Sequence, residues 1–252
     1  MTKLKQIQEQ ILDTQKLISD TKRIKMFDTQ NEILDFIIKQ DEILLENLLN
    51  DEKKVLLELL NKKIPQNFQT AEELVYDTYG TDYIGQIDPL KIAEKLNIRV
   101  VSDYNMIDGI GRSEFKGQET VITYKPTNKY RDKFTVAHEL GHIFLHFKKG
   151  ISYCFVDKAD ENHSNQIFEA ARLSFDNTPQ IEEEANVFAG ELLIPKKMLG
   201  KIVEKIPRGK AIKASIIKEF FAVSNDVTRI TLTNYGMFNN GTFVNNLELR
   251  RW

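Results

Sequence analysis

Residues 134–146 read FTVAHELGHIFLH, an apolar run broken by His138, Glu139, His142 and His146. With FTVA before the motif and IFLHF after it, a helix here is apolar on most sides and belongs inside the protein. Burying imidazoles and a carboxylate without partners is costly, so the fold has to answer these groups. Residues four apart project from one side of a helix, about 6 Å apart along its axis, so His138 and His142 can turn their rings to one metal ion. Glu139 is rotated by about 100° from His138, which makes it a poor ligand but places it well to reach a water on that ion. Two imidazoles, an added carboxylate and an open position form the donor set of a zinc hydrolase, where bound water acidifies to a pKa of about 7. Glu139 is then the candidate catalytic base, taking the proton as the water attacks a carbonyl and delivering it to the leaving amine. His146 does not share the ion: on a continuous helix it lies about 12 Å along the axis from His138, and no glycine turn precedes it. It is read as a residue standing behind the ligands or packing beside them.

The third ligand is sought in IEEEANVFAGELLIP, a second helix stopped by Pro195. Ile181, Ala185, Phe188, Ala189, Leu192 and Leu193 define its buried face. On the helical wheel Glu182 falls about 65° from the centre of that face, Glu184 about 95° and Glu183 about 165°. Glu183 should therefore face water. Glu182 shares its side with Ala185 and Ala189, small residues that let this helix come close to the HELGH helix. Glu182 is the expected third ligand, with Glu184 as the next candidate. Asn186, four residues on, is placed to hydrogen-bond a ligating histidine from behind.

Around these helices the chain divides by composition. Residues 1–65 form a helical extension, free of Gly and Pro up to residue 64. Leu4, Ile7, Ile11 and Ile18 begin an apolar stripe, which Ile33, Ile37, Leu44, Leu48, Val55 and Leu59 continue. Such helices need a partner surface, within the molecule or on another one. Residues 66–85 are read as a connector. Residues 86–206 read as a small α+β domain: Asp88 caps a helix that opens with Pro89, a β-branched strand follows, and GIGRSEF and ETVITYK form a hairpin. The HELGH helix follows, capped by Thr127 or Asn128, with Arg131 as a structural ion-pair partner. ISYCFV reads as a strand, DKADENHSN as a loop and QIFEAARLSF as a short helix. Residues 207–236 read as two helices joined at AVS with Ser224 capping the second, and 237–252 as a tail with a last hairpin or strand.

Lys plus Arg is 35 and Asp plus Glu is 37, so no global positive field draws the protein to nucleic acid or anionic lipid. The helix pair at 207–236 resembles a helix-turn-helix in outline, but its second helix offers Asn225, Asp226, Thr228 and only one cation, Arg229. Direct nucleic-acid binding is not expected, and the pair is read as packed on the catalytic domain. One cysteine, Cys154, forms no intrachain disulfide. No apolar run reaches the length of a membrane span, so a cytoplasmic protein is expected.

FTVAHELGHIFLH and EEEANVFAGELLIP together resemble the ImmA/IrrE family of metallo-endopeptidases, whose signature joins an AHELGH helix to a downstream E-x-x-A-x-x-F-A-x-x-L-L-x-P helix. The second half matches at Glu182, Ala185, Phe188, Ala189, Leu192, Leu193 and Pro195. The likeness covers roughly residues 86–236 and leaves residues 1–65 without a counterpart. It implies an α+β zincin-like peptidase domain of the gluzincin kind, with a short sheet, an HExxH helix and a glutamate-bearing helix. It implies His138, His142 and Glu182 as zinc ligands, Glu139 as base, one zinc ion per chain and a protein substrate. Family members typically cut or inactivate helix-turn-helix repressors, often on mobile elements or in stress responses. The sequence departs from the pattern in the 40 positions from His142 to Glu182, read as an insertion around 149–180, where Tyr153 and His163 are weaker candidates to line the cleft. The alternative reading is a regulatory or DNA- or protein-binding module with a proteolytically silent metal site. A third possibility is a metal-binding protein that has lost proteolytic activity, or whose site is held closed, and that works through its N-terminal helices; those helices are also a candidate surface for self-association.

Overall fold

The computed structural model describes residues 2–27, 31–63, 68, 70–107, 109–115, 119–147, 154–157, 179–205 and 214–237. The chain forms two compact units, Met1–Lys63 and Ile64–Trp252. The expected hairpin or strand at the C-terminus, the short helix in QIFEAARLSF and Pro65 lie outside the described residues.

The first unit is a helical hairpin. Helix α1 (Lys3–Lys25) starts behind Thr2, and α2 (Glu32–Lys63) behind Asn31, whose Oδ1 accepts from the amides of Ile33 and Leu34. Gln8 bonds Glu52 at 2.8 Å, Lys22 meets Glu42 at 2.7 Å, and Lys25 pairs with Asp35, so the helices run antiparallel. On α1 the buried residues are Leu4, Ile7, Ile11, Thr14, Ile18 and Thr21, alternately three and four apart, as in a coiled-coil seam. On α2 the matching stripe runs through Leu34, Ile38, Asp41, Leu45, Leu48 and Val55. This corrects the stripe expected from sequence: Ile33, Ile37 and Leu44 are 71%, 38% and 49% exposed. A count of apolar residues alone steps over Asp41, which sits on the covered side, and drifts onto the outer face.

The second unit is the α+β domain. Thr70 and Glu73 form a capping box that starts α3 (Ala71–Tyr79), a helix inside the segment read as a connector. Asp88 accepts from the amide of Leu90 and Pro89 takes the first position of α4 (Pro89–Lys95). Three strands follow as the sequence suggests, β1 (Ile98–Ser102), β2 (Gly111–Phe115) and β3 (Thr120–Tyr124). β3 is antiparallel to β2 and parallel to β1, and β4 (Cys154–Asp157) adds antiparallel to β2, giving the order β1-β3-β2-β4.

Asn128 caps α5 (Lys129–Gly141) by accepting from the amides of Tyr130 and Arg131, while Thr127 bonds Asp132. Arg131 itself is exposed and makes no ion pair with a described residue, contrary to expectation. The helix does not continue as α-helix through the motif. From His142 to Phe147 it widens to a π-helix, a form common at functional sites. Helix α6 (Pro179–Leu193) packs on α5 and ends before Pro195; α7 (Lys196–Glu204), not anticipated from sequence, follows at once.

Helices α8 (Ala214–Phe221) and α9 (Asn225–Asn234) are the pair resembling a helix-turn-helix, with Ser224 capping the second. They pack onto the domain. Lys133 of α5 donates to the carbonyls of Phe221 and Ala222, the Tyr235 hydroxyl donates to the carbonyl of Ile194 at 2.7 Å, and Thr228 is buried. The second helix therefore spends part of its polar face on the core. Ile122, at the centre of the sheet, is fully buried. Ile122→Ala is expected to lower stability by about 2–5 kcal/mol, read by urea denaturation.

Candidate metal centre

The close crossing of α5 and α6 makes the site. A Cβ added at Gly141 would lie 3.1 Å from both Cα and O of Ala185 and 3.2 Å from a ring carbon of Phe188. The glycine of HELGH and the alanine of EEEAN are therefore the contact that brings the glutamate helix to the histidines. Across it His138 Nε2 lies 3.0 Å from His142 Nε2 and 3.2 Å from Glu182 Oε2, while His142 Nε2 lies 3.6 Å from Glu182 Oε1. All three residues offer a ligand atom within 4.8 Å of the others. The histidines are buried and Glu182 is 28% exposed in its side chain, so the cluster opens to one side.

The backs of both imidazoles are held. His138 Nδ1 is 2.9 Å from Asn186 Oδ1. With that oxygen accepting, the ring carries its proton on Nδ1 and turns a lone pair into the cluster. His142 Nδ1 is 2.9 Å from His146 Nδ1, and His146 Nε2 is 3.4 Å from Glu184 Oε2, while Glu184 Oε1 accepts from Gln180. If His146 donates to Glu184, its Nδ1 accepts from His142, and the second ring also presents a bare Nε2. Glu184 thus stands at the end of a relay behind His142 and apart from the cluster. Its nearness was legible in sequence only as the glutamate two residues past Glu182.

Burial pushes the His142 imidazole down to about 4, so the ring is neutral at pH 7. Burial alone would raise the Glu182 carboxyl, but a proton shared with it by the two imidazoles, as hydrogen bonds from His138 and His142, outweighs that and holds it below the usual carboxylate range. Two bare nitrogens and a carboxylate at these distances repel unless a proton or another cation sits among them. Glu182 Oε1 is moreover buried with no hydrogen-bond partner among the described residues. A divalent metal ion answers all three atoms, so the donor set fits one.

Glu139 is fully buried, and its carboxylate lies against the start of β2: a Cβ at Gly111 would fall 2.5 Å from Glu139 Oε1 and 2.6 Å from Thr135 Cγ2. Sequence reasoning missed this glycine, whose partner is remote in the chain. Glu183 is exposed, as its wheel position suggests. Tyr153 and His163 lie outside the described residues. A separate cavity of about 450 Å³, lined by Tyr79, Tyr83 and Lys91 among others, contains none of the cluster residues.

The family model Peptidase_M78, described as the IrrE N-terminal-like domain, matches residues 93–233, more than half of the 252-residue chain. The chain belongs to this family. It is also similar to the protein named Metallopeptidase ImmA of Bacillus subtilis (strain 168), with 26% identity over 166 residues covering 66% of this chain and 84% of that protein. This member of the IrrE-like peptidases is therefore a metallo-endopeptidase that takes a metal ion and a protein substrate. The matched region contains α5, α6, α8 and most of α9. No described helix is long and apolar enough to cross a membrane.

Glu182→Gln is expected to abolish stoichiometric metal binding, whereas Glu184→Gln, which still offers an acceptor to His146, retains it. Asn186→Ala and His146→Leu should each weaken metal affinity by about 10–100-fold, measured by chelator competition. Gly141→Leu should separate α5 from α6 and lose the metal while circular dichroism keeps the helical signal.

Proposed function

We propose that this chain is a zinc-dependent cytoplasmic endopeptidase that cleaves a helix-turn-helix transcriptional repressor, with His138, His142 and Glu182 as ligands and Glu139 as base. The observation that carries the reading is the convergence of two imidazole nitrogens and one carboxylate beside a buried glutamate. Zinc suits imidazole and carboxylate together and supplies Lewis acidity at the open position. Glu139 accepts a proton from water as the water oxygen bonds to the scissile carbonyl carbon. It then passes that proton to the amine nitrogen as the C–N bond breaks. Asn186 and the His146–Glu184 pair keep both ligand rings turned inward. Support for a repressor as substrate is the family likeness; a lone cysteine agrees with a reducing compartment. We also propose that the chain self-associates through its N-terminal hairpin, whose helices cover one of two apolar stripes.

Glu139→Gln should keep one equivalent of metal and lower the rate of peptide hydrolysis by about 10²–10⁴-fold. For the substrate, purified repressor is incubated with the metal-loaded protein and new termini are sought by mass spectrometry. Cleavage by the wild type and none by Glu139→Gln is expected. Intact repressor with the wild type, under conditions where a denatured protein is cut, would overturn that choice of substrate.

A further inference from the structure

The outer face of α2 holds a second seam. Five apolar residues, Ile33, Phe36, Ile37, Ile43 and Leu44, and two amides, Gln40 and Asn47, all lie within about 60° of Gln40 at 100° per residue. Their spacing is again that of a heptad stripe, and it runs for about four turns. The apolar members are 38–71% exposed, and both amides are exposed. None of the seven is charged, in a chain where 29% of residues are. By the register that the Lys22–Glu42 and Lys25–Asp35 pairs fix, Leu17 and Ile24 of α1 fall beside Leu44 and Ile37; they are 52% and 58% exposed. A helix pair with this third apolar row has the pattern of a bundle that lacks its other half.

The polar residues on the stripe say what the other half is. An amide both donates and accepts, so Gln40 at the centre of the stripe can bond to its own copy across a two-fold axis; a Lys or Glu there would set like charges together. The stripe is also near-symmetric about Gln40. Ile37 and Ile43 lie three residues to either side, Phe36 and Leu44 four, Ile33 and Asn47 seven. We propose that α2 packs antiparallel on α2 of a second copy of this chain, with Gln40 on the two-fold axis. Phe36 then meets Leu44 of the second copy, Ile37 meets Ile43, and Ile33 meets Asn47. Leu17 and Ile24 cover the flanks, and two hairpins make one four-helix arrangement. This rests on the self-association reading above and gives it a surface and an axis.

The test is sedimentation velocity of the full chain over a wide concentration range, with Gln40→Lys beside the wild type. A dimer is expected, and Gln40→Lys should weaken it by about tenfold or more, since like charges meet on the axis, while the thermal midpoint stays unchanged. In a Cys154→Ser background, Gln40→Cys should form a disulfide-linked dimer on oxidation, and Glu46→Cys, outside the stripe, should not. A wild-type dimer that is untouched by Gln40→Lys and fails to cross-link through Gln40→Cys would overturn this surface and leave self-association standing. A wild type that is monomeric at every concentration would overturn both and make the stripe a seat for another protein.

Discussion

The catalytic half of the molecule depends on one van der Waals contact, the approach of α5 to α6 at Gly141 and Ala185. Neither residue has a polar side chain, yet together they set how far Glu182 stands from His138 and His142. Any larger side chain at Gly141 meets the backbone of Ala185, which cannot yield as the end of a flexible side chain can. A separation of a few tenths of an ångström at this crossing passes directly into the donor set, because both helices are rigid over the short lever from contact to ligand. Interiors packed at crystal density transmit such shifts with little relief.

From that contact the electrostatics follow. Burial keeps the His142 imidazole neutral, Asn186 and His146 stand behind the two rings, and the carboxylate of Glu182 supplies the charge. Glu139 belongs to the same helix but faces the sheet, with Gly111 pressed against it.

Much of this was legible in the sequence because helices translate spacing into direction. The i,i+4 histidines, the choice of Glu182 over Glu183 and the caps at Asp88, Asn128 and Ser224 all follow from a 100° step and from short-range hydrogen bonding. What escaped was either long-range or looked like noise. The antiparallel pairing of β4 with β2 joins segments about 40 residues apart, and no local pattern encodes it. The widening to a π-helix at His142 arises where α5 meets its neighbours. Helix α3 did carry a local signal, the T-x-x-E box at Thr70 and Glu73. On α2, Asp41 interrupts the covered seam while apolar residues occupy the outer face, so hydrophobicity alone placed Leu48 and Val55 correctly but put Ile33, Ile37 and Leu44 on the wrong side. The same inversion left the outer stripe free to serve a second copy.

The most direct test of the account is X-ray absorption at the zinc edge on protein loaded with one equivalent of zinc. The account predicts a single site with two imidazole nitrogens and carboxylate oxygen in the first coordination sphere, and loss of one imidazole in His142→Ala. Coordination by sulfur, by three imidazoles, or spectra unchanged in His142→Ala would contradict it.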